Sequence, residues 1–102
     1  MEKKKFRGWL ETHCESSCRR YKNDIACRAN RVEDELKKVD PGFSLDEEYR
    51  FDGGQKVLRR LGRLGRALQG SGVNLPIGSS QMCAIRGSVS WYMKYKKDTD
   101  IV

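Results

Sequence analysis

One histidine and two prolines are all that the 102 residues contain of either type, and no stretch reaches the roughly 18 uninterrupted apolar residues that a membrane crossing needs. The first scarcity leaves no histidine pair for a metal or a proton relay. The second leaves no transmembrane helix. The opening "MEKKKFRGWLE" is basic but lacks the apolar core of a secretory signal, so the chain is expected to be soluble and cytoplasmic. Period-two alternation is missing over any length that would require a sheet, and there is no internal repeat and no G-x-x-x-x-G-K-[ST] phosphate loop. No Ser/His/Asp, Cys/His or paired-carboxylate grouping is close enough in sequence to nominate an active site. Neither an enzyme, a cofactor nor a small-molecule substrate is therefore expected.

Cysteine is present at Cys14, Cys18, Cys27 and Cys83, but without a secretory signal a disulfide framework is not expected. His13, Cys14, Cys18 and Cys27 make a four-ligand set on paper. The short knuckle between paired ligands is absent, so no metal site is expected and the cysteines are read as small buried or partly exposed residues. Histidine 13 itself is read as a helix-end or packing residue.

What the chain has in quantity is positive charge: 21 basic against 14 acidic side chains, a formal net charge of +7. Residues 40–55 are acidic, whereas residues 56–102 carry nine basic and two acidic side chains. A field of this sign favours anionic partners, nucleic acid foremost, although a solvated basic surface has the same composition. With 37% hydrophobic and 34% charged residues, the length and composition fit one domain spanning residues 1–102, its charged ends open to fraying.

The apolar residues recur at helical intervals. Phe6, Trp9, Leu10 and His13 define a short first helix ending near His13. Ser16 or Ser17 is placed to cap a second helix of about six turns, whose stripe is Cys18, Tyr21, Ile25, Val32, Leu36 and Val39, with Arg28 or Ala29 filling the missing turn and Cys27 off the stripe. "DPGF" stops it. "SLDE" has the form of a capping box, Ser44 with Glu47, and predicts a short acidic helix over Leu45 to Tyr49. Asp52 is placed to cap a third long helix running through Leu68, and Ser79 or Ser80 to cap a last one with Met82, Ile85, Val89, Tyr92 and Lys96 on one face. The predicted fold is all-α, a compact bundle of four main helices with a short additional acidic helix.

"LRRLGRLGRALQG" is the most basic of these segments. On a helical wheel with Arg59 at zero, Arg63 falls near about 40° and Arg66 near about −20°, while Val57, Leu61, Leu64 and Leu68 cluster around roughly 180°. Arg60 lies at the margin of the arginine row. The row is either a phosphate-binding face or the wet side of an ordinary helix; Arg19, Arg20, Arg28, Arg31, Arg86, Lys94, Lys96 and Lys97 are available to extend it, Arg86 by reaching outward between helices. Gly62 and Gly65 each cost about 0.8–1 kcal/mol in a helix interior. Close packing of a helix bearing Trp9 or Trp91 is the expected reason, with close approach to phosphates as the alternative.

The order "FRGWL", "SSCRRY", "RVEDEL" and "AIRGSVSWYMKY" resembles the core-binding, SAM-like domain of tyrosine recombinases and integrases, and the small helical N-terminal domains beside nuclease modules of restriction-type proteins. Phe6, Trp9, Leu10, Ser17, Tyr21, Val32, Leu36, Ile85, Val89, Tyr92 and Tyr95 occupy the corresponding positions. The resemblance implies a DNA-positioning module without catalytic residues; the recombinase catalytic domain is absent, and "DPGFSLDEEYRFDGG" and the cysteines depart from the pattern. The leading expectation is a non-catalytic DNA-binding module contacting phosphates through Arg59, Arg60, Arg63, Arg66, Arg86 and Lys94. The alternative is a protein-interaction module, such as a small phage- or plasmid-type regulator docking an acidic surface of a larger enzyme.

Overall fold

A computed structural model describes residues 1–15, 19–62, 72–75 and 78–99 of the chain. Among the described residues there are five helices and no strand: α1 (Lys3–His13), α2 (Arg19–Lys37), α3 (Leu45–Asp52), α4 (Gln55–Leu61) and α5 (Ser79–Thr99). None is long and apolar enough to cross a membrane.

The long helices α2 and α5 pack on each other and α1 closes one side of the pair. The apolar intervals explain this: Phe6 and Leu10 of α1, Ile25, Ala29, Val32 and Leu36 of α2, and Met82, Ile85, Val89 and Tyr92 of α5 are all buried in one core. Each helix hides a single stripe, and the stripes supply one another's apolar environment. Ala29 fills the turn that the sequence leaves between Ile25 and Val32. Tyr21 and Val39, expected on the same stripe, are exposed instead. For Val39 the reason is that α2 ends at Lys37, so the residue no longer follows the helical period. Beside Tyr21, Lys22 is buried and puts its ammonium 3.3 Å from Glu11. The α2 capping serines, Ser16 and Ser17, lie outside the described residues, as does Cys18. Cys27 is exposed as expected, and Cys14 is buried.

Carboxylates that sequence periodicity does not single out fasten the remaining elements. Glu33 of α2 is buried; one oxygen is 2.7 Å from the Met1 ammonium and the other accepts the Leu45 N–H at the start of α3. Ser44 caps α3 by accepting from Asp46 N, two residues on. The helix runs on to Asp52, three residues beyond the expected end. Glu35 accepts the Asn74 N–H at 2.7 Å while Arg31 donates to the Asn74 carbonyl at 2.9 Å, so both polar groups of that residue are tied to α2. Gly78, through its carbonyl, accepts from Met82 N at the first turn of α5.

At the meeting of α1, α3 and α5, Lys96 is 3.1 Å from Glu2 and 3.5 Å from Asp46, and the buried Tyr92 hydroxyl donates to Asp46 and accepts from Glu2 N. The Lys96 bond holds the Glu2 carboxyl below its ordinary range, against the opposing effect of burial. Burial alone would lower the Lys96 ammonium, but Glu2 and Asp46 outweigh it and the net shift is upward. A lowered acid stabilises the fold above its unfolded pKa of about 4.3 and ceases to do so as pH falls through the folded value; a raised lysine stabilises below about 10.4 and ceases as pH rises through the folded value. The contribution of this cluster, read as the urea-midpoint difference between wild type and Lys96→Met, should therefore be flat between about pH 5 and about pH 10 and decline on both sides. A difference still rising at about pH 11 would contradict this arrangement.

Candidate nucleic-acid interface

The candidate surface is built on α4 and the second half of α5, and the turn "FDGG" sets its geometry. The Asp52 carboxylate accepts Gly54 N at 3.1 Å and Lys56 N at 2.9 Å, but Asp52 is the last residue of α3 and the N-cap of α4 is Gly54, which corrects the expectation that Asp52 caps the next helix. Gly54 is buried with φ +86°, and a Cβ there would lie 2.7 Å from Met93 Cγ. Only glycine combines that backbone with so close an approach, and the approach fixes the α3–α4 corner on α5.

Val57 and Leu61 face inward and Arg59 outward, its side chain 78% exposed, which is the orientation the wheel predicts. The helix then stops. Gly62 takes φ +68° and closes α4 with its N–H on the Leu58 carbonyl. This corrects two expectations. The helix does not run through Leu68, so the wheel that aligned Arg59 with Arg63 and Arg66 does not extend past Gly62; Arg63 and Arg66 themselves lie outside the described residues. Nor does Gly62 pack against a helix bearing Trp9 or Trp91, since nothing among the described residues lies within 4 Å of a Cβ built there. It is a helix terminator in a conformation that side-chain-bearing residues seldom adopt. Gly65 lies outside the described residues.

Arg86 is also corrected. Instead of reaching outward, its Nη1 donates to the carbonyl of Leu58 and, at 3.2 Å, to that of Gly62. A cation at those carbonyls satisfies groups that the helix end leaves without partners and complements its negative dipole. Arg86 thereby positions α4 and is partly buried in doing so.

Lys94 and Lys97 are exposed and line two neighbouring depressions. One, of about 350 Å³, is bounded by Tyr49, Asp52, Gln55 and Leu58 from the α3–α4 corner. Arg59 Nη2 is 3.8 Å from Asp52, one of the residues at its border. The other, of about 410 Å³, is bounded by Trp9, His13, Trp91 and Asp98. His13 stacks on Trp9, ring centroids 4.4 Å apart and planes 8° from parallel; Trp91 meets Trp9 at 67° and 6.1 Å; and Lys94 Nζ stands 4.9 Å from the Trp91 centroid. Asp98 accepts the Trp9 indole N–H at 2.7 Å and is 3.5 Å from His13 Nε2.

Elsewhere the positive charge is matched only in part, since Lys3, Lys4, Arg19, Arg20, Lys37 and Lys56 also have no carboxylate within 4.0 Å among the described residues. Lys38 pairs with Glu35, Arg7 and Lys22 with Glu11, and Lys96 with Glu2 and Asp46. Lys96, read from sequence as available to a ligand, is thus committed to the fold. Arg28 and Arg31 border a depression of about 300 Å³ with Ser80 and Gln81, but Arg28 is 4.0 Å from Asp24 and Arg31 holds Asn74. Among the described residues, Lys94, Lys97 and Arg60 have no carboxylate within 4.0 Å. Of the sequence-predicted set, then, Lys94 remains at this surface with Lys97 beside it, Arg59 reaches its border at Asp52, and Arg60, partly buried on α4, is not among its lining residues. The two tryptophans at its edge are legible in sequence only as aromatic spacings, because nothing local says that α1 and α5 bring them together. Also among the described residues, no group of three or more His, Cys, Asp or Glu side chains is placed to hold a metal ion. Comparison with protein-family models, curated proteins and solved structures finds no match.

Proposed function

We propose that the chain is a non-catalytic nucleic-acid-binding module of the core-binding, SAM-like kind, four main helices with a short acidic one, working in the reducing cytoplasm. It holds the phosphate backbone through Arg59, Arg60, Lys94 and Lys97. The observation that carries this reading is that Lys94 and Lys97 stand exposed about one turn apart on α5, with no carboxylate partner among the described residues. Four such contacts give a slope of log affinity against log salt of about −3.6 on duplex DNA, a loss of roughly 100-fold between 50 and 200 mM salt. Duplex binding followed by anisotropy across that range is the test. Affinity independent of salt, or no binding at low salt, would refute it.

A protein partner is the second reading, favoured by Phe51, which is 72% exposed with Lys56 Nζ 5.5 Å from its ring centroid. Aromatic side chains beside cations are common anchors of interfaces. Capture of one acidic partner from nuclease-treated lysate, together with no shift of DNA, would decide for it.

A further inference from the structure

We propose that the notch lined by Trp9, His13 and Trp91 takes an unpaired nucleobase against its exposed rings, so that the module engages single-stranded or locally opened nucleic acid; this rests on the phosphate-binding reading of Lys94 and Lys97. Both tryptophans of the chain line the same depression, and each is half-buried. Their inner sides are accounted for by packing, Trp9 against Phe6 and Tyr95 and Trp91 against the core. Their outer sides carry only exposed side chains, His13 stacked on Trp9 and Lys94 over Trp91. The Trp9–His13 stack and the Trp91 ring make two walls 67° apart, open to solvent, in a depression of about 410 Å³. That is within the size of a small-ligand site, and the angle lets a flat ring lie on one wall with its edge toward the other.

The surrounding charge selects the class of flat ring. An aromatic notch also suits an organic cation, but here two ammonium groups, Lys94 and Lys97, stand at the rim against one carboxylate. That carboxylate, Asp98, is already engaged by the Trp9 indole N–H and His13. Its bond to Trp9 fixes the tilt of the ring, and so the notch is formed before any ligand arrives. One turn of α5 separates the two lysines, which places positive charge on either side of a base whose own flanking phosphates need it. Lys94 now covers the Trp91 face, and a base displacing it exchanges a cation–π contact for stacking while freeing the ammonium for phosphate.

The test uses the full chain, a single strand of about 12 nucleotides and the duplex of the same sequence. Because both tryptophans are in the notch, their intrinsic fluorescence reports on it directly. The single strand is expected to quench that fluorescence, and Trp91→Ala and the exposed-site variant His13→Ala to weaken single-strand binding by roughly 10- to 100-fold, with Trp91→Phe restoring part of it. Duplex affinity is expected to fall far less than single-strand affinity in these three variants, whereas Lys94→Ala weakens binding of both forms. Should Trp91→Ala fail to fold by circular dichroism, His13→Ala and the wild-type quenching decide. Single-strand binding without quenching and with equal affinity for wild type, His13→Ala and Trp91→Phe would overturn the notch while leaving phosphate binding in place. Failure of both nucleic acids to bind would overturn the two together.

Discussion

Replacing Glu33 with alanine is expected to lower the unfolding free energy by about 3–5 kcal/mol, the range for breaking one side of a buried ion pair. Glu33 is 2% exposed and its two oxygens serve different elements, the Met1 ammonium and the Leu45 N–H. Alanine leaves a positive charge and a helix-start donor without their partner in a place that water does not replace easily. Since small domains are stable by about 5–15 kcal/mol in all, this is a large share. Glu33→Gln keeps an acceptor for Leu45 and loses only the charge, so it is expected to cost less than Glu33→Ala. Urea unfolding at pH 7 reads both, and a loss under about 1 kcal/mol for Glu33→Ala would show that the pair does not fasten α2 to α3. The consequence reaches the functional surface, because α3 leads directly into the turn that presents Arg59.

The second large effect is on binding. Lys94→Ala/Lys97→Ala is expected to weaken duplex binding by about 30-fold near 0.15 M salt, since each phosphate contact contributes about fivefold there through counterion release. The fold should tolerate it: both side chains are exposed, and neither is matched to a carboxylate among the described residues. Lys3→Ala/Lys4→Ala removes the same charge from the exposed start of α1 and serves as the control. If the field of the whole molecule governed binding, the two double variants would weaken it alike.

The helices were largely legible because apolar spacing is a local signal. Phe6 and Leu10, Ile25 to Leu36, and Met82 to Tyr92 follow intervals that only a helix turns into one buried face. A helix start is legible where one residue type has one physical use, as with Ser44 before α3, whereas Asp52 closes α3 and leaves Gly54 to cap α4. The end of α4 was misread because leucine periodicity continues past Gly62, and periodicity cannot register that a single glycine has turned to positive φ. That one backbone angle removed the basis for a continuous row of arginines.

Charge was the least legible property. Sequence gives the number of cations but not which carboxylate each one meets, because the partners are distant in the chain: Lys96 meets Glu2, Arg86 meets the end of α4, and Glu33 meets Met1. Arg86 and Lys96 therefore pass from the candidate surface to the fold. Lys94 and Lys97 stay, along with the two tryptophans that tertiary packing sets beside them.

The salt dependence of duplex binding, measured side by side for wild type, Lys94→Ala/Lys97→Ala and Lys3→Ala/Lys4→Ala, tests the phosphate surface most directly. The predicted result is a log–log slope shallower by about 1.8 for Lys94→Ala/Lys97→Ala than for wild type, with the Lys3→Ala/Lys4→Ala slope matching wild type. Equal slopes for wild type and Lys94→Ala/Lys97→Ala would contradict it.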